Sequence, residues 1–328
     1  MKEKLIKALD LAIAKVLSVR RNEDDCLIVL AFHSVVDRME DLQSGVLDPF
    51  QPMTIQDVEF VATLLRQRGF SLVTGHDLDA GNVRGPAAWL TFDDGYANNL
   101  KLLPLVRRND MPLTIFISSG NVASGEAFWW DVLFREETKR GTPAAAIAAR
   151  RESLKACPPD EIRAAIVTRY GEGAMRPVAD IDRPMTPAEV ATLAREPLVE
   201  IGNHTHSHTI LTVVDTGTQL SDIRRCQEEL HRLTGRLPIS IAFPNGAFDR
   251  RTLAAAAKLG LRFGVTCLPG QARPASLQTV NDRLTIGRFA SIRHGRVERE
   301  LTLATARAGF GQLLAERNRR LNSERCRS

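Results

Sequence analysis

Two short stretches carry side chains that could do chemistry. An apolar run at residues 87–92 ends in the adjacent carboxylates Asp93 and Asp94, and Gly95 follows at once. This pattern predicts a buried strand that ends in a turn. Two neighbouring carboxylates repel each other unless a positive charge lies beside them. Far downstream, residues 202–208 contain three histidines within five positions. A metal ion bound by one carboxylate and two histidines, with the other carboxylate free to act as a base, would account for both stretches.

The spacing of the histidines separates two of them from the third. His204 and His208 are four residues apart, so we expect them to face the same way on one helical turn. His206 would then point away from the metal. We therefore expect Asp94, His204 and His208 to bind a divalent metal ion. Imidazole and carboxylate suit zinc well, and other divalent ions fit the same donors.

Asp93 is then the candidate general base. In that role it would take a proton from a water that the metal polarises. The metal and a backbone N–H would stabilise the oxyanion that forms when the water attacks a carbonyl group. The alternative is that Asp93 only caps the helix that follows.

Strands that alternate with helices are expected to position these side chains. Polar residues recur at the predicted strand ends, and the strand–helix–strand alternation is typical of a parallel sheet with crossover helices. We therefore predict an α/β fold, a distorted (β/α) barrel that residues 284–292 close. The predicted strands cover residues 26–33, 70–73, 89–92, 113–117, 198–201, 239–243 and 263–266.

Residues at about 125–197 interrupt this alternation with a largely helical pattern. We interpret them as an insertion in a barrel domain that spans residues 26–295. The helical spacing of apolar and charged residues within residues 1–25 predicts an amphipathic helix, which would pack on the barrel or lie on a membrane surface. Charges interrupt its apolar residues, so it lacks the uninterrupted core of a signal peptide. Residues 296–328 predict a basic helical tail.

Composition sets further bounds on the function. The hydrophobic fraction of 44% is ordinary for a soluble globular protein, and the formal charge of +5 permits an anionic partner without demanding one. The five cysteines are scattered and odd in number, which argues against a disulfide framework and against a thiolate zinc site. We expect a cytoplasmic protein with reduced thiols and no nucleic-acid partner. The sequence leaves the oligomeric state open.

Both chemical stretches resemble motifs of the polysaccharide deacetylase family, carbohydrate esterase family 4. Residues 91–95 match its Thr-Phe-Asp-Asp-Gly motif, and residues 204–208 match its His-Ser/Thr-x-x-His motif. The resemblance covers residues 27–290 in outline. It implies a metal-dependent hydrolase, usually with zinc at the same three positions. The substrate would be N-acetylhexosamine units of a polysaccharide, an oligosaccharide or a lipid-linked glycan.

A third motif matches only in part. Residues 242–246 read Ala-Phe-Pro-Asn-Gly, whereas the commoner family pattern is Arg-x-Pro-x-Gly with an arginine that orients the base. Ala242 occupies the arginine position, so the sequence leaves open which residue orients Asp93. Asn245 matches the residue whose backbone N–H serves the oxyanion. The Phe-Pro-Asn-Gly form resembles a branch that processes exopolysaccharide and capsule.

The general acid is the second departure from the family. A C-terminal Leu-x-His motif is absent from the sequence, and His294 has no matching context. Residues 30–35 instead resemble the Tyr-His-x-Val segment of the poly-N-acetylglucosamine deacetylase branch. We therefore take His33 as the acid candidate. The alternative is a histidine at a strand end that bonds to the backbone.

Three aromatic residues complete the candidate site. Trp129 and Trp130 would either stack on a sugar ring or pack in the core. Tyr96 would either line the same pocket or pack in the core. The same chemistry would also suit an O-acetyl esterase or a hydrolase of small-molecule amides. A rival from another class is a glycan-binding protein with weak catalysis, which the two departures favour.

Overall fold

Seven parallel strands form one sheet in the computed structural model, which describes residues 26–51, 53–83 and 85–305. Their order is β1-β3-β4-β5-β6-β7, and β2 pairs with the start of β3. The strands are β1 Leu27–Phe32, β2 Ser71–Val73, β3 Ala87–Phe92, β4 Leu113–Ile117, β5 Val199–Asn203, β6 Ser240–Ala242 and β7 Phe263–Val265.

A short segment joins the two edges of this sheet. Ile286 exchanges backbone hydrogen bonds with the residues around β7, and Phe289 does the same with β1 at 2.8 and 3.1 Å. The sheet therefore curls into a distorted (β/α) barrel, as the sequence predicts. The segment that closes it lies inside the predicted range of residues 284–292.

β1, β3 and β4 are buried on both faces, which explains their continuous apolar sequences. Because side chains alternate along a strand, β1, β3 and β4 each contribute side chains to two separate hydrophobic cores. Trp89 and Ile286 belong to the inner core of the barrel, whereas Leu90 and Phe289 pack outward against the helices.

The helices cover the outside of the barrel and build the insertion. Residues 97–102 form a 3-10 turn, and a short helix with Pro104 in its first turn follows directly. The helices are α1 Ile55–Gln67, α2 Gly75–Asp79, α3 Leu103–Arg108, α4 Ser119–Ser124, α5 Trp129–Lys139, α6 Ala144–Leu154, α7 Pro159–Tyr170, α8 Pro187–Leu193, α9 Thr216–Thr234, α10 Arg250–Lys258, α11 Val280–Leu284 and α12 Val297–Thr305.

The helices between β4 and β5 form a small core of their own, apart from the barrel. α5, α6 and α7 contribute Leu133, Ile147 and Ile166 to it. α8 instead packs on the outer barrel core through buried Val190 and Leu193. Hydrophobic clustering thus separates most of the insertion from the barrel.

The end of the described chain packs on the barrel. Leu301 and Ala304 of α12 are buried in the outer core, and Arg68 at the end of α1 donates hydrogen bonds to Thr302 and Thr305. The rest of the predicted basic tail and the predicted N-terminal amphipathic helix lie outside the described residues. Within residues 26–305, no helix is long and apolar enough to cross a bilayer.

Candidate active site

The two carboxylates occupy different positions at the end of β3. Asp93 continues the row of Trp89 and Thr91, so strand alternation directs it to the inside of the barrel. The backbone then turns into the left-handed region at Asp94, with φ 76°, and at Gly95, with φ 87°. This conformation is unfavourable for a non-glycine residue and recurs in functional sites.

The histidines lie in a loop after β5, so the expected helical turn is wrong. Thr205 and His208 have φ values of 62° and 50°, which interrupt any helix. Side chains hold the loop instead: the Thr205 N–H donates to Asn203 Oδ1 at 2.8 Å, and the Thr209 N–H donates to Thr205 Oγ1 at 2.9 Å. Such local bonds compete with helical hydrogen bonds. His204 and His208 nevertheless face each other, with ring centroids 4.9 Å apart.

Asp94, His204 and His208 converge as a possible metal site. The Nε2 atoms of both histidines lie 3.3 Å from Asp94 Oδ1, and one donor atom of each residue lies within 4.8 Å of the others. Nδ1 of His204 contacts the Ala242 carbonyl oxygen at 2.8 Å, which directs Nε2 toward Asp94. In a neutral ring, Nε2 is then an acceptor facing a second acceptor. The donor set therefore calls for a cation and fits a divalent metal ion.

The electrostatics of His204 agree with this need. Burial alone would lower the pKa of His204, but Asp93 and Asp94 outweigh burial and raise it. The carboxylates thus favour positive charge at His204, whereas burial dominates at His208 and lowers its pKa. His206 is directed elsewhere, and its Nδ1 lies 2.8 Å from Ser119 Oγ.

Asp93 forms a buried ion pair with Arg288. Two guanidinium nitrogens of Arg288 donate to the two oxygens of Asp93 at 2.7 Å each, and a third donates to the Thr266 carbonyl oxygen at 3.0 Å. Burial would raise the pKa of Asp93, but the charge of Arg288 outweighs it and lowers the pKa. The carboxylate is therefore ionised and fixed in orientation, and it does not cap the following helix.

A cavity of about 290 Å³ opens onto this cluster. It brings together the residues that the sequence singled out: His33, Asp93, Asp94, Tyr96, Trp129, Trp130, His204, His208 and Asn245. Asn245 has a left-handed backbone, with φ 57°. Gly246 beside it is required, because a Cβ there would come within 2.5 Å of the Cys267 backbone nitrogen. His294 does not line this cavity and instead pairs with Asp57 at 2.8 Å.

The aromatic residues of the site form a chain of hydrogen bonds. Trp130 Nε1 donates to the Tyr96 hydroxyl at 2.8 Å, and that hydroxyl donates to Asp131 Oδ2 at 2.7 Å. Tyr96 is buried, and its hydroxyl both donates and accepts a hydrogen bond, so the tyrosine connects the barrel to the insertion. The Trp130 ring lies 4.6 Å from that of His208 and therefore supports a candidate ligand. No pattern in the sequence indicates Asp131 as the partner of Tyr96.

Comparison with known proteins identifies the family to which this site belongs. The sequence matches the family described as polysaccharide deacetylase over residues 80–264, more than half of the chain. This protein belongs to the polysaccharide deacetylase family. It is therefore a carbohydrate deacetylase, of a family that is generally metal-dependent. A search of the curated proteins found no match.

Solved structures share the fold at low sequence identity. The deacetylase PplD from Streptococcus pyogenes, solved with acetate, has a TM-score of 0.57 and 15% identity, covering 86% of this chain and 99% of its own. A polysaccharide deacetylase from Bacillus cereus has a TM-score of 0.59 and 16% identity, with coverages of 86% and 70%. IcaB from Ammonifex degensii has a TM-score of 0.55 and 17% identity, with coverages of 87% and 99%.

Arg288 is the functional residue that sequence reasoning missed. The commoner family pattern has an arginine at the position of Ala242, whereas here the guanidinium comes from the segment that closes the barrel. A signal was present, because residues 286–290 form an apolar run interrupted by one arginine. A buried arginine needs a charged partner, and Asp93 has the matching need. Ala242 contributes its carbonyl oxygen, which orients His204.

Proposed function

We propose that this protein is a zinc-dependent N-deacetylase that removes acetyl groups from N-acetylhexosamine units of a glycan. One observation carries the proposal: an Asp–His–His cluster, a carboxylate fixed by Arg288, and His33 all line a single cavity. Family membership supports the deacetylase chemistry. The substrate and the metal belong to the proposal.

Asp94, His204 and His208 would hold the metal ion. A zinc ion bound there supplies Lewis-acid activation of water and of the amide carbonyl. The chain's own contribution is to fix the three donors. The Ala242 carbonyl oxygen sets the His204 ring, and the Trp130 ring packs against His208.

Asp93 accepts the proton of the attacking water. Its carboxylate is ionised because Arg288 lowers its pKa, so it is ready to accept a proton at neutral pH. The water oxygen adds to the carbonyl carbon, and the backbone N–H of Asn245 donates to the oxygen that becomes negative. Arg288 keeps the accepting oxygens in one orientation during this step.

His33 delivers a proton to the leaving nitrogen as the C–N bond breaks, which releases acetate and the free amine. Its Nδ1 is buried and has no hydrogen-bond partner among the described residues, and the side chain lines the cavity with both carboxylates. The alternative of a histidine bonded to the backbone through its ring therefore loses support. Histidine has the unperturbed pKa best suited to proton transfer near neutral pH.

The rival interpretation is a glycan-binding protein with weak catalysis. It rested on two departures from the family, the missing arginine and the missing C-terminal histidine motif, and the first of these no longer supports it. It relied in part on the missing arginine at Ala242, and Arg288 provides the missing charge with two hydrogen bonds to Asp93.

Acetate release from a panel of glycans tests the proposal. The panel contains chitooligosaccharides, an N-acetylated exopolysaccharide and, for the esterase alternative, acetyl-xylan. Release from N-acetylated glycans should stop with a chelator and return when zinc is added. Full activity in a preparation shown by elemental analysis to be metal-free would refute the metal role. Release from acetyl-xylan alone would favour the esterase.

Two histidine variants test the proton donor. His33→Ala should lower turnover about 10²-fold while zinc content stays near the wild-type value. His294→Ala is the matched control, because His294 lies outside the cavity and pairs with Asp57. Equal turnover in the two variants would remove His33 from the mechanism.

A further inference from the structure

The insertion contributes positive charge to the cavity wall. Arg151 of α6 and Lys155, which follows that helix, are four residues apart, and both line the cavity. Residues at this spacing lie on one helix face. Neither has a role in the deacetylation steps described above, so their presence beside the reaction centre needs another explanation.

Carboxylates pair with both cations, but only one of these carboxylates lines the cavity. Arg151 forms an ion pair with Asp48, which lines the cavity, and its Nε lies 4.0 Å from Glu152 Oε1, beyond hydrogen-bond distance. Lys155 contacts Glu152 at 2.8 Å, but Glu152 has a side chain 62% exposed and is not part of the cavity wall. Burial raises the pKa of Asp48, and the charges of Arg151 and Lys155 only partly offset it. The remaining lining carboxylates are engaged at the reaction centre, Asp93 by Arg288 and Asp94 by the histidines.

Polar atoms of this wall also lack partners. Within the described chain, four buried side-chain nitrogen or oxygen atoms have no hydrogen-bond partner, and three of them belong to cavity residues: His33, Gln51 and Arg151. For Arg151 the atom is Nε, a charged donor. A buried charged donor without an acceptor is costly, and charged acceptors give it the strongest hydrogen bonds.

We propose that Arg151 and Lys155 bind an anionic group on the glycan, a carboxylate or a phosphate, and so select acidic substrates. The inference rests on the proposed deacetylase function and adds the chemical class of its substrate. The planar guanidinium matches both anions, and the lysine adds a point charge beside it. Phe50 stabilises the arrangement, since the Arg151 guanidinium lies 5.2 Å from its ring centroid.

A hyaluronan tetrasaccharide tests this proposal, because it contains N-acetylglucosamine beside a glucuronate carboxylate. Its methyl ester is the neutral counterpart with the same linkages. We expect the wild-type KM to be about tenfold lower for the acid than for the ester, the typical effect of one charge-assisted hydrogen bond. In Lys155→Gln this ratio should fall to about twofold.

Lys139→Gln is the matched control. Lys139 contacts Glu136 at 2.9 Å with the same three-residue spacing as Lys155 and Glu152, but it does not line the cavity. Its variant should keep the wild-type ratio of KM values. A ratio near one in the wild type, or an equal loss in both variants, would overturn the proposal.

A second pair of substrates separates the two anions. Tetra-N-acetylchitotetraose with and without a phosphate monoester repeats the comparison, and a larger ratio for this pair than for the hyaluronan pair identifies phosphate as the preferred group. Acetate release with equal KM values for the charged and neutral members of both pairs would refute the anion proposal and leave the deacetylase function intact. Release from none of the four substrates would refute the proposed function itself.

Discussion

Two buried arginine–aspartate pairs lie in different regions of the molecule. In the barrel, Arg288 donates to both oxygens of Asp93 at 2.7 Å. In the insertion, Arg135 donates to Asp182 at 2.5 Å. All four side chains are at most 4% exposed. By composition and burial the two pairs are nearly identical.

Their remaining contacts differ. Asp182 also accepts hydrogen bonds from the backbone N–H groups of Val178 and Ala179, so its oxygens are saturated by the fold. Asp93 depends on Arg288 and lies in the wall of the cavity. The difference is that the backbone saturates the carboxylate of Asp182, whereas the carboxylate of Asp93 lines the cavity and is available for the proposed chemistry.

Neutralising the two carboxylates should separate these roles most strongly. Asp93→Asn should lower kcat about 10²- to 10⁴-fold, because the general base is lost. Asp182→Asn should keep kcat within a few-fold of the wild type in the folded protein. Both variants leave an unpaired buried arginine, so the melting temperature should fall in both. Zinc content and kcat, measured below the melting transition, check the comparison, which fails if both variants lose turnover equally.

Replacing each arginine by lysine should give a smaller contrast. Arg288→Lys keeps the charge but loses the two parallel hydrogen bonds that orient Asp93, so kcat should fall about tenfold or more. Arg135→Lys should mainly lower the melting temperature. Steady-state kinetics and thermal denaturation of both variants are the measurements. A wild-type kcat in Arg288→Lys would mean that charge alone suffices.

Tyr96 joins the two regions, and its removal tests whether they are independent. Tyr96→Phe leaves Trp130 and Asp131 each without one hydrogen bond, which should cost about 1–3 kcal/mol of stability. Because Trp130 packs on His208, we also expect kcat to fall several-fold. Tyr170→Phe loses a hydroxyl bonded to Glu137 inside the insertion and is the control, with an unchanged kcat expected.

Low pH should destabilise the insertion through protonation of Glu137, and we expect this effect to be the smallest of the four. Burial would raise the pKa of Glu137, but Arg169 and its other partners outweigh burial and lower it to about 2. The stabilisation is therefore fully present above the ordinary pKa of 4.5 and is lost as the pH falls toward 2. The difference in melting temperature between wild type and Glu137→Gln should shrink between pH 6 and about 3. A constant difference would exclude this linkage.

Local patterns were sufficient to predict the strands and the candidate ligands. The apolar runs that became β1, β3 and β4 are continuous because both faces of the sheet are covered, and the paired carboxylates mark the end of β3 directly. The insertion was visible as a break in the alternation. Each of these features depends on neighbours in sequence, which is why periodicity reveals them.

Contacts between residues far apart in the sequence were harder to predict than the elements themselves. Arg288 reaches Asp93 only because the barrel closes between β7 and β1, and 195 residues separate the pair in sequence. The histidine loop was misinterpreted as helical, because a four-residue spacing does not distinguish a helical turn from a loop that Asn203 and Thr205 hold with side-chain bonds.

The closing segment lies late in the sequence, so the ribosome synthesises it after the other residues of the candidate site. Arg288 is synthesised 195 residues after Asp93. At about 5–20 residues per second, this separation corresponds to roughly 10–40 s of translation. His204 and His208 emerge before Arg288, so the Asp–His–His set is complete while the carboxylate of Asp93 still lacks its partner. The three residues of the proposed metal site are therefore synthesised before the arginine that holds the proposed base, and the proposed hydrolysis requires the segment that closes the barrel.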